Sequence, residues 1–141
     1  MTFTPLRSCD LLPLDSFASY LGIDHIDGGD GFSIVELTLR QKHLNFFNSC
    51  HGGVIFSLAD TAFGLASNAP GNLSVAIDAH VTFIKGAKVG DVLRARANRV
   101  SGSRKTAVYQ VEVSRDICIL ATFTGTVFVT GKAVSNFLAH N

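Results

Sequence analysis

Asp60 is the only ionisable residue in the segment from Gly52 to Asn68, GGVIFSLADTAFGLASN. Everything else there is apolar, small or neutral polar, a pattern that predicts a buried helix. A carboxylate inside such a helix is costly unless it is paired, protonated or hydrogen-bonded. Asp60 therefore has a partner or faces a pocket. Burial tends to raise its pKa toward the range a general base uses, because desolvation disfavours the charged form. The residues just ahead, Ser49-Cys50-His51-Gly52-Gly53, open the helix. A Gly-Gly start offers bare backbone N–H groups at the positive end of the helix dipole, which suits developing negative charge. Glycine also lets a substrate carbonyl come close to the backbone. An acid within a core helix and an anion site at its start together indicate an enzyme.

Other reactive residues form weaker patterns. The three cysteines, Cys9, Cys50 and Cys118, are scattered and odd in number, so no disulfide framework is expected. Cys50 adjoins His51, but neighbours in sequence rarely face each other, and a thiol nucleophile needs a base placed in space. No cysteine or histidine pair has zinc-ligand spacing, so no metal is expected. Asp78 and His80 share one face of a strand and could form a polar pair.

The elements that must position these groups can be read from periodicity and punctuation. Residues 15–21, DSFASYL, suit a short helix capped by Asp15 or Ser16 and stopped at Gly22. Residues 22–28 and 32–40 read as strands around the turn GGDG. Residues 41–50 form a loop, and the long helix follows, ending at Asn68-Ala69-Pro70-Gly71. Residues 73–85, 92–100, 106–114 and 117–129 read as four strands of a meander, with short turns setting them antiparallel. The tail from Gly131 to Asn141 reads as a loose end with one helical turn at 134–139. The class is α+β: an antiparallel sheet of five to six strands with one helix on its face. The helix is about 25 Å long, so the sheet must curve around it to bury its sides.

Composition bounds the function. The 141 residues suit a single domain, 1–141, with a core from about 15 to 130. Hydrophobic residues make up 47% and charged residues 16%. So apolar a chain is expected to bury further surface between subunits. A net charge of +1 argues against a nucleic-acid surface. No apolar run reaches the roughly 18 residues of a membrane span. The opening, MTFTPLRSCDLLPLD, lacks a basic start followed by an apolar run, so no export signal is expected and the cytoplasm is the default compartment.

The order of elements, with HGG opening the helix and Asp60 inside it, resembles the hotdog fold. The stretch LNFFNSCHGGVIFSLADTAFGLASN resembles the PaaI-type acyl-CoA thioesterases. The likeness continues through VAIDAHVTFIKGAKVGD and GSRKTAVYQVEV and covers about residues 15–130. It implies hydrolysis of acyl-CoA thioesters, often phenylacetyl or hydroxylated phenylacetyl ones, with no cofactor beyond the coenzyme A of the substrate. It also implies a homodimer, its sheets joined edge to edge and its active sites at the interface, with dimers pairing into a homotetramer. By motif position, the Gly52 N–H would polarise the thioester carbonyl, and Asp60 would be the base or nucleophile. Asn45 would help hold the water or the base, and His51 would flank the carbonyl site. Some relatives carry a water-positioning serine on the next strand. The match here is Ala76, so that role is absent or falls to a neighbour such as Ser74.

These roles have a geometric consequence. Asp60 follows Gly52 by eight residues, about 12 Å along a helix. A base and an oxyanion donor serving one carbonyl both lie about 3 Å from the reacting atoms. One chain cannot bring the two together, so they must come from different protomers across a two-fold axis. Gly53, Phe56, Thr61 and Phe63 are candidate substrate contacts on the helix, and Phe46 and Phe47 are further candidate acyl walls. Lys85 and Lys88 on one turn, and Arg104 and Lys105 on another, are candidate partners for coenzyme A phosphates. A non-catalytic acyl-CoA-binding module and a hotdog dehydratase or hydratase are the rival readings. The HGG-to-Asp spacing favours hydrolysis.

Overall fold

The computed structural model describes residues 3–138. Six strands form one antiparallel sheet: β1 Asp24–Gly29, β2 Phe32–Thr38, β3 Asn72–Phe83, β4 Val92–Gly102, β5 Thr106–Arg115 and β6 Cys118–Ala133. Helices α1 Ser8–Leu11 and α2 Ser16–Leu21 precede β1, and α3 Gly52–Asn68 separates β2 from β3. Asp15 caps α2 by accepting the Ala18 N–H, and Gly22 ends it in the left-handed region at φ 82°, where glycine carries no steric penalty.

The strand order is β1-β2-β4-β5-β6-β3. This corrects the expected four-strand meander. β4, β5 and β6 do follow one another, but β3 pairs with β6 and leaves its other edge open. Residues 84–91 cross from that edge to the middle of the sheet. The Ile84 and Lys85 N–H groups donate to the Leu120 carbonyl, Cys50 N–H to Ala87, and Gly90 N–H to Leu39. The crossover thus lies directly against the start of α3.

Period-two burial sets the inner face. Leu93, Ala95 and Ala97 on β4, Tyr109, Val111 and Val113 on β5, and Phe123 and Val127 on β6 are buried, while the residues between them on β4 and β5 are mostly exposed. Against that face α3 places Val54, Ile55, Leu58, Ala59, Ala62, Phe63, Leu65 and Ala66, all buried. Phe63 packs on Phe123 and Tyr109, ring centroids 5.5 and 5.7 Å apart. Gly125 permits this approach, since a β-carbon there would come within 2.7 Å of the Phe63 ring.

The tail is also not loose as far as residue 138. β6 runs to Ala133, Val134 is buried, and its N–H donates to Gly71. The helical turn is shorter than expected, Val134–Asn136, and Ala139 lies outside the described residues. Among the described residues, no helix is long and apolar enough to cross a membrane.

Candidate active site

The sheet covers only one side of α3. Gly53, Phe56, Ser57, Asp60, Thr61, Gly64 and Asn68, all exposed or half-buried, line its uncovered side. This corrects the expectation of a helix buried all round. Gly, Ser and Thr give a helix face little polarity, and three of these side chains bond back to the helix itself. Ser57 donates to Gly53, Thr61 to Ser57 and Asn68 to Gly64.

Asp60 opens into a groove of about 520 Å³ above that face. Phe56, Ser57 and Thr61 form its floor with Asp60, while Leu11, Leu14, Asp15 and Phe17 form one wall. Val134, Phe137 and Leu138 from the tail line it as well. Asp60 is exposed in the single protomer, yet the apolar walls around it desolvate the carboxylate and raise its pKa above the ordinary value. The second carboxylate, Asp15, raises it further by repulsion. No lysine, arginine or histidine among the described residues lines the groove to offset the two.

Gly52 faces a different cavity. His51 caps α3, its Nδ1 accepting the Gly53 N–H at 2.8 Å. The His51 carbonyl accepts from Val54 and Ile55. The Gly52 N–H alone in this first turn has no acceptor among the described residues. It lies in a hollow of about 340 Å³ lined by Cys50, Ile55, Phe83, Ile84, Lys85 and Gly86. A β-carbon at Gly52 would come within 3.3 Å of the Phe83 ring. Bare, unpaired and at the positive end of a helix, this N–H has the chemistry to accept developing negative charge nearby.

The structure sorts the remaining candidates. The Asn45 Oδ1 accepts from Phe47 and Ser49 N–H groups, shaping the loop as an Asx turn. Its Nδ2 has no acceptor among the described residues. Phe46 and Phe47 pack on each other with tilted rings, 4.4 Å between centroids, and both are exposed. Phe63 is a correction: at 1% exposure it belongs to the core, packed against Phe123 and Tyr109. Gly53 and Phe56 stay on the open side of α3. Lys85 lines the Gly52 hollow. Lys88 lies just beyond it, in a turn held by Asp91, which accepts the Lys88 N–H and the Arg115 guanidinium. Those bonds keep the Asp91 carboxyl below its usual pKa. Arg104 sits instead beside Ser67 and Pro70, at the far end of α3, with Lys105 next to it. In one protomer the two basic turns are therefore apart.

Cys50 is buried and its thiol pKa is pushed up to about 11, which makes it a poor nucleophile. Asp78 and His80 do not pair, since Asp78 accepts the Thr126 N–H and His80 bonds Thr82. The Ser74 hydroxyl donates to the Asn72 carbonyl, and Ser74 lines a pocket with Arg104 rather than the groove that holds Asp60. Leu11, Leu14 and Phe17, and Val134, Phe137 and Leu138 of the tail, were not legible as groove residues, and Asp15 was legible only as a cap.

One antiparallel sheet curved around one long helix, with an acid on the helix and an unpaired N–H at its start, is a hotdog fold. Residues 47–122 match the thioesterase superfamily. An esterase assigned by inference in Archaeoglobus fulgidus is 45% identical over 100 residues, covering 70% of this chain and 65% of its own length. The acyl-coenzyme A thioesterase PaaI of Escherichia coli K12 is 41% identical over 99 residues, 70% of this chain and 71% of the relative. The solved structure of the E. coli PaaI protein from the phenylacetic acid degradation operon superposes with a TM-score of 0.82 at 38% identity, covering 84% of this chain and 87% of the other. The chain belongs to the thioesterase superfamily, among its PaaI-type members.

Proposed function

We propose that the protein hydrolyses acyl-coenzyme A thioesters, with a phenylacetyl-like aromatic or a short- to medium-chain acyl group. The observation that carries this is the placement of two groups on α3. The free N–H of its first turn and the carboxylate of its uncovered face open into separate cavities of one protomer, about 12 Å apart along the helix. The reading that follows is a site shared by two protomers. The Gly52 N–H of one polarises the thioester carbonyl, and Asp60 of the other takes a proton from water as its oxygen attacks the carbonyl carbon. The carbon–sulfur bond then breaks, releasing the carboxylic acid and coenzyme A. Direct attack by Asp60, through a mixed anhydride, uses the same geometry. The name of the E. coli relative supports the substrate class.

The open edge of β3 supports the pairing. Val75, Ile77 and Phe83 on it are 45%, 59% and 52% exposed, and an apolar edge strand left unpaired is a template for a second copy. Such a dimer would also be the way to bring Arg104 and Lys105 of one chain toward Lys85 and Lys88 of another, for the phosphates of coenzyme A. The groove walls Phe56, Phe17 and Phe137 suit an apolar acyl group, and the Asn45 Nδ2 would help hold the water or the base. Pairs of dimers would complete a tetramer.

Free-thiol release from phenylacetyl, benzoyl and hexanoyl coenzyme A tests the proposal. Wild-type protein is expected to release thiol, and Asp60→Asn to lose about a hundredfold or more with binding retained. Tight binding with no release from any of the three would instead make this an acyl-CoA-binding module.

A further inference from the structure

His43 is 1% exposed, and both of its ring nitrogens are bonded to backbone. The Arg40 N–H donates to Nδ1 at 2.9 Å. Nδ1 must then carry a lone pair, so the proton sits on Nε2 and is donated to the Leu21 carbonyl at 2.8 Å. The ring is neutral and held in one tautomer. Its two partners lie on different elements: Leu21 ends α2, and Arg40 follows β2.

The backbone of the same residue reaches the catalytic turn. The His43 carbonyl accepts the His51 N–H at 2.9 Å. His51 in turn caps Gly53 with its ring and takes Val54 and Ile55 on its carbonyl. Each donor of the first turn is thereby satisfied except Gly52. The aim of that one free N–H depends on where His51 stands, and His51 hangs on His43. Asn45 lies within the same loop, 44–50, so its amide moves with it.

We propose that His43 is a positioning residue for thioester cleavage, a neutral imidazole that locks the 44–51 loop and so directs the Gly52 N–H. This rests on the function proposed above. A misplacement of about 1 Å at such a donor costs on the order of a hundredfold in rate. The effect should fall on kcat, because the oxyanion contact strengthens only as charge develops.

The test pairs kinetics with a direct view of the amide. His43→Ala removes both ring bonds. His43→Asn keeps an acceptor near the Nδ1 position for Arg40 but loses the donor to Leu21. Lys42→Met is the control, since Lys42 also reaches the end of α2, through the Tyr20 carbonyl at 2.6 Å, but makes no bond to the loop. With phenylacetyl coenzyme A, His43→Ala is expected to lose about tenfold or more in kcat with KM within about twofold. His43→Asn should recover part of the loss, and Lys42→Met should match wild type. In 15N–1H spectra the Gly52 amide should shift in both His43 variants while amides of β5 stay in place. Unchanged kcat with an unmoved Gly52 amide would overturn the proposal, as would a rise in KM alone. If His43→Ala fails to fold, His43→Asn decides by the same two readouts. If wild type cleaves no thioester, the Gly52 amide still reports whether His43 positions it, so the two proposals fail separately.

Discussion

Two carboxylates face one groove, with no cation among the described residues lining it to balance them. Asp60 is raised first by desolvation and then by Asp15, and the sign of its effect on stability follows. A carboxyl whose folded pKa exceeds its unfolded value binds its proton more tightly when folded. Its contribution therefore falls as pH rises from the ordinary carboxylate value through the folded one. Asp60→Asn removes that loss, so at pH 7 the variant should melt at a higher temperature than wild type, with the difference fading at acidic pH. A lower melting temperature at pH 7 would mean the carboxylate is compensated in the folded protein. If Asp60 acts as a base, the acid limb of kcat/KM lies above the usual carboxylate range, and Asp15→Asn should move it to lower pH by removing the repulsion. An unmoved limb in that variant would disconnect the two carboxylates.

Helix α3 is held by its buried side, which gives predictions of the opposite sign. Leu58 is fully buried, and Leu58→Ala should cost about 2–5 kcal/mol by urea denaturation. At Gly125 a β-carbon would push into the Phe63 and Phe123 rings, so Gly125→Ala should cost about 1–3 kcal/mol through overpacking. The bounds of α3 were legible because Gly52-Gly53 and Asn68-Ala69-Pro70-Gly71 punctuate a single apolar run. Its open face was not, because small neutral residues look the same against a sheet as against a partner. The strand identities were legible from alternation, but the neighbours of β3 were not, since a period of two says nothing about which strand lies alongside. Gly52 and Asp60 stood out as unusual residues for their setting. Phe63 did not declare itself as core, because aromatic residues on one helix differ only in which side of it they take. The groove walls at 11–17 and 134–138 come from segments whose apolar residues follow no period, and only tertiary structure brings them over Asp60.

At the scale of the whole molecule, the open edge of β3 and the uncovered side of α3 both leave apolar surface exposed in one protomer. Introducing charge on the edge, as Val75→Lys with Ile77→Lys, should shift sedimentation toward monomer and abolish thiol release together. A fully active monomer would refute the shared site. The most direct test combines two crippled proteins. Asp60→Asn lacks the carboxylate. Gly52→Pro lacks the free N–H, at a first-turn position where proline is compatible with helix geometry. Each should be nearly inactive alone. Unfolded together in equal amounts and refolded, they form mixed dimers that hold one intact site, with Asp60 from one chain and Gly52 from the other. The account predicts recovery to about a quarter of the wild-type rate per chain. A mixture no more active than its parts, with mixed dimers shown to have formed, would place both groups in the same chain's site and contradict it.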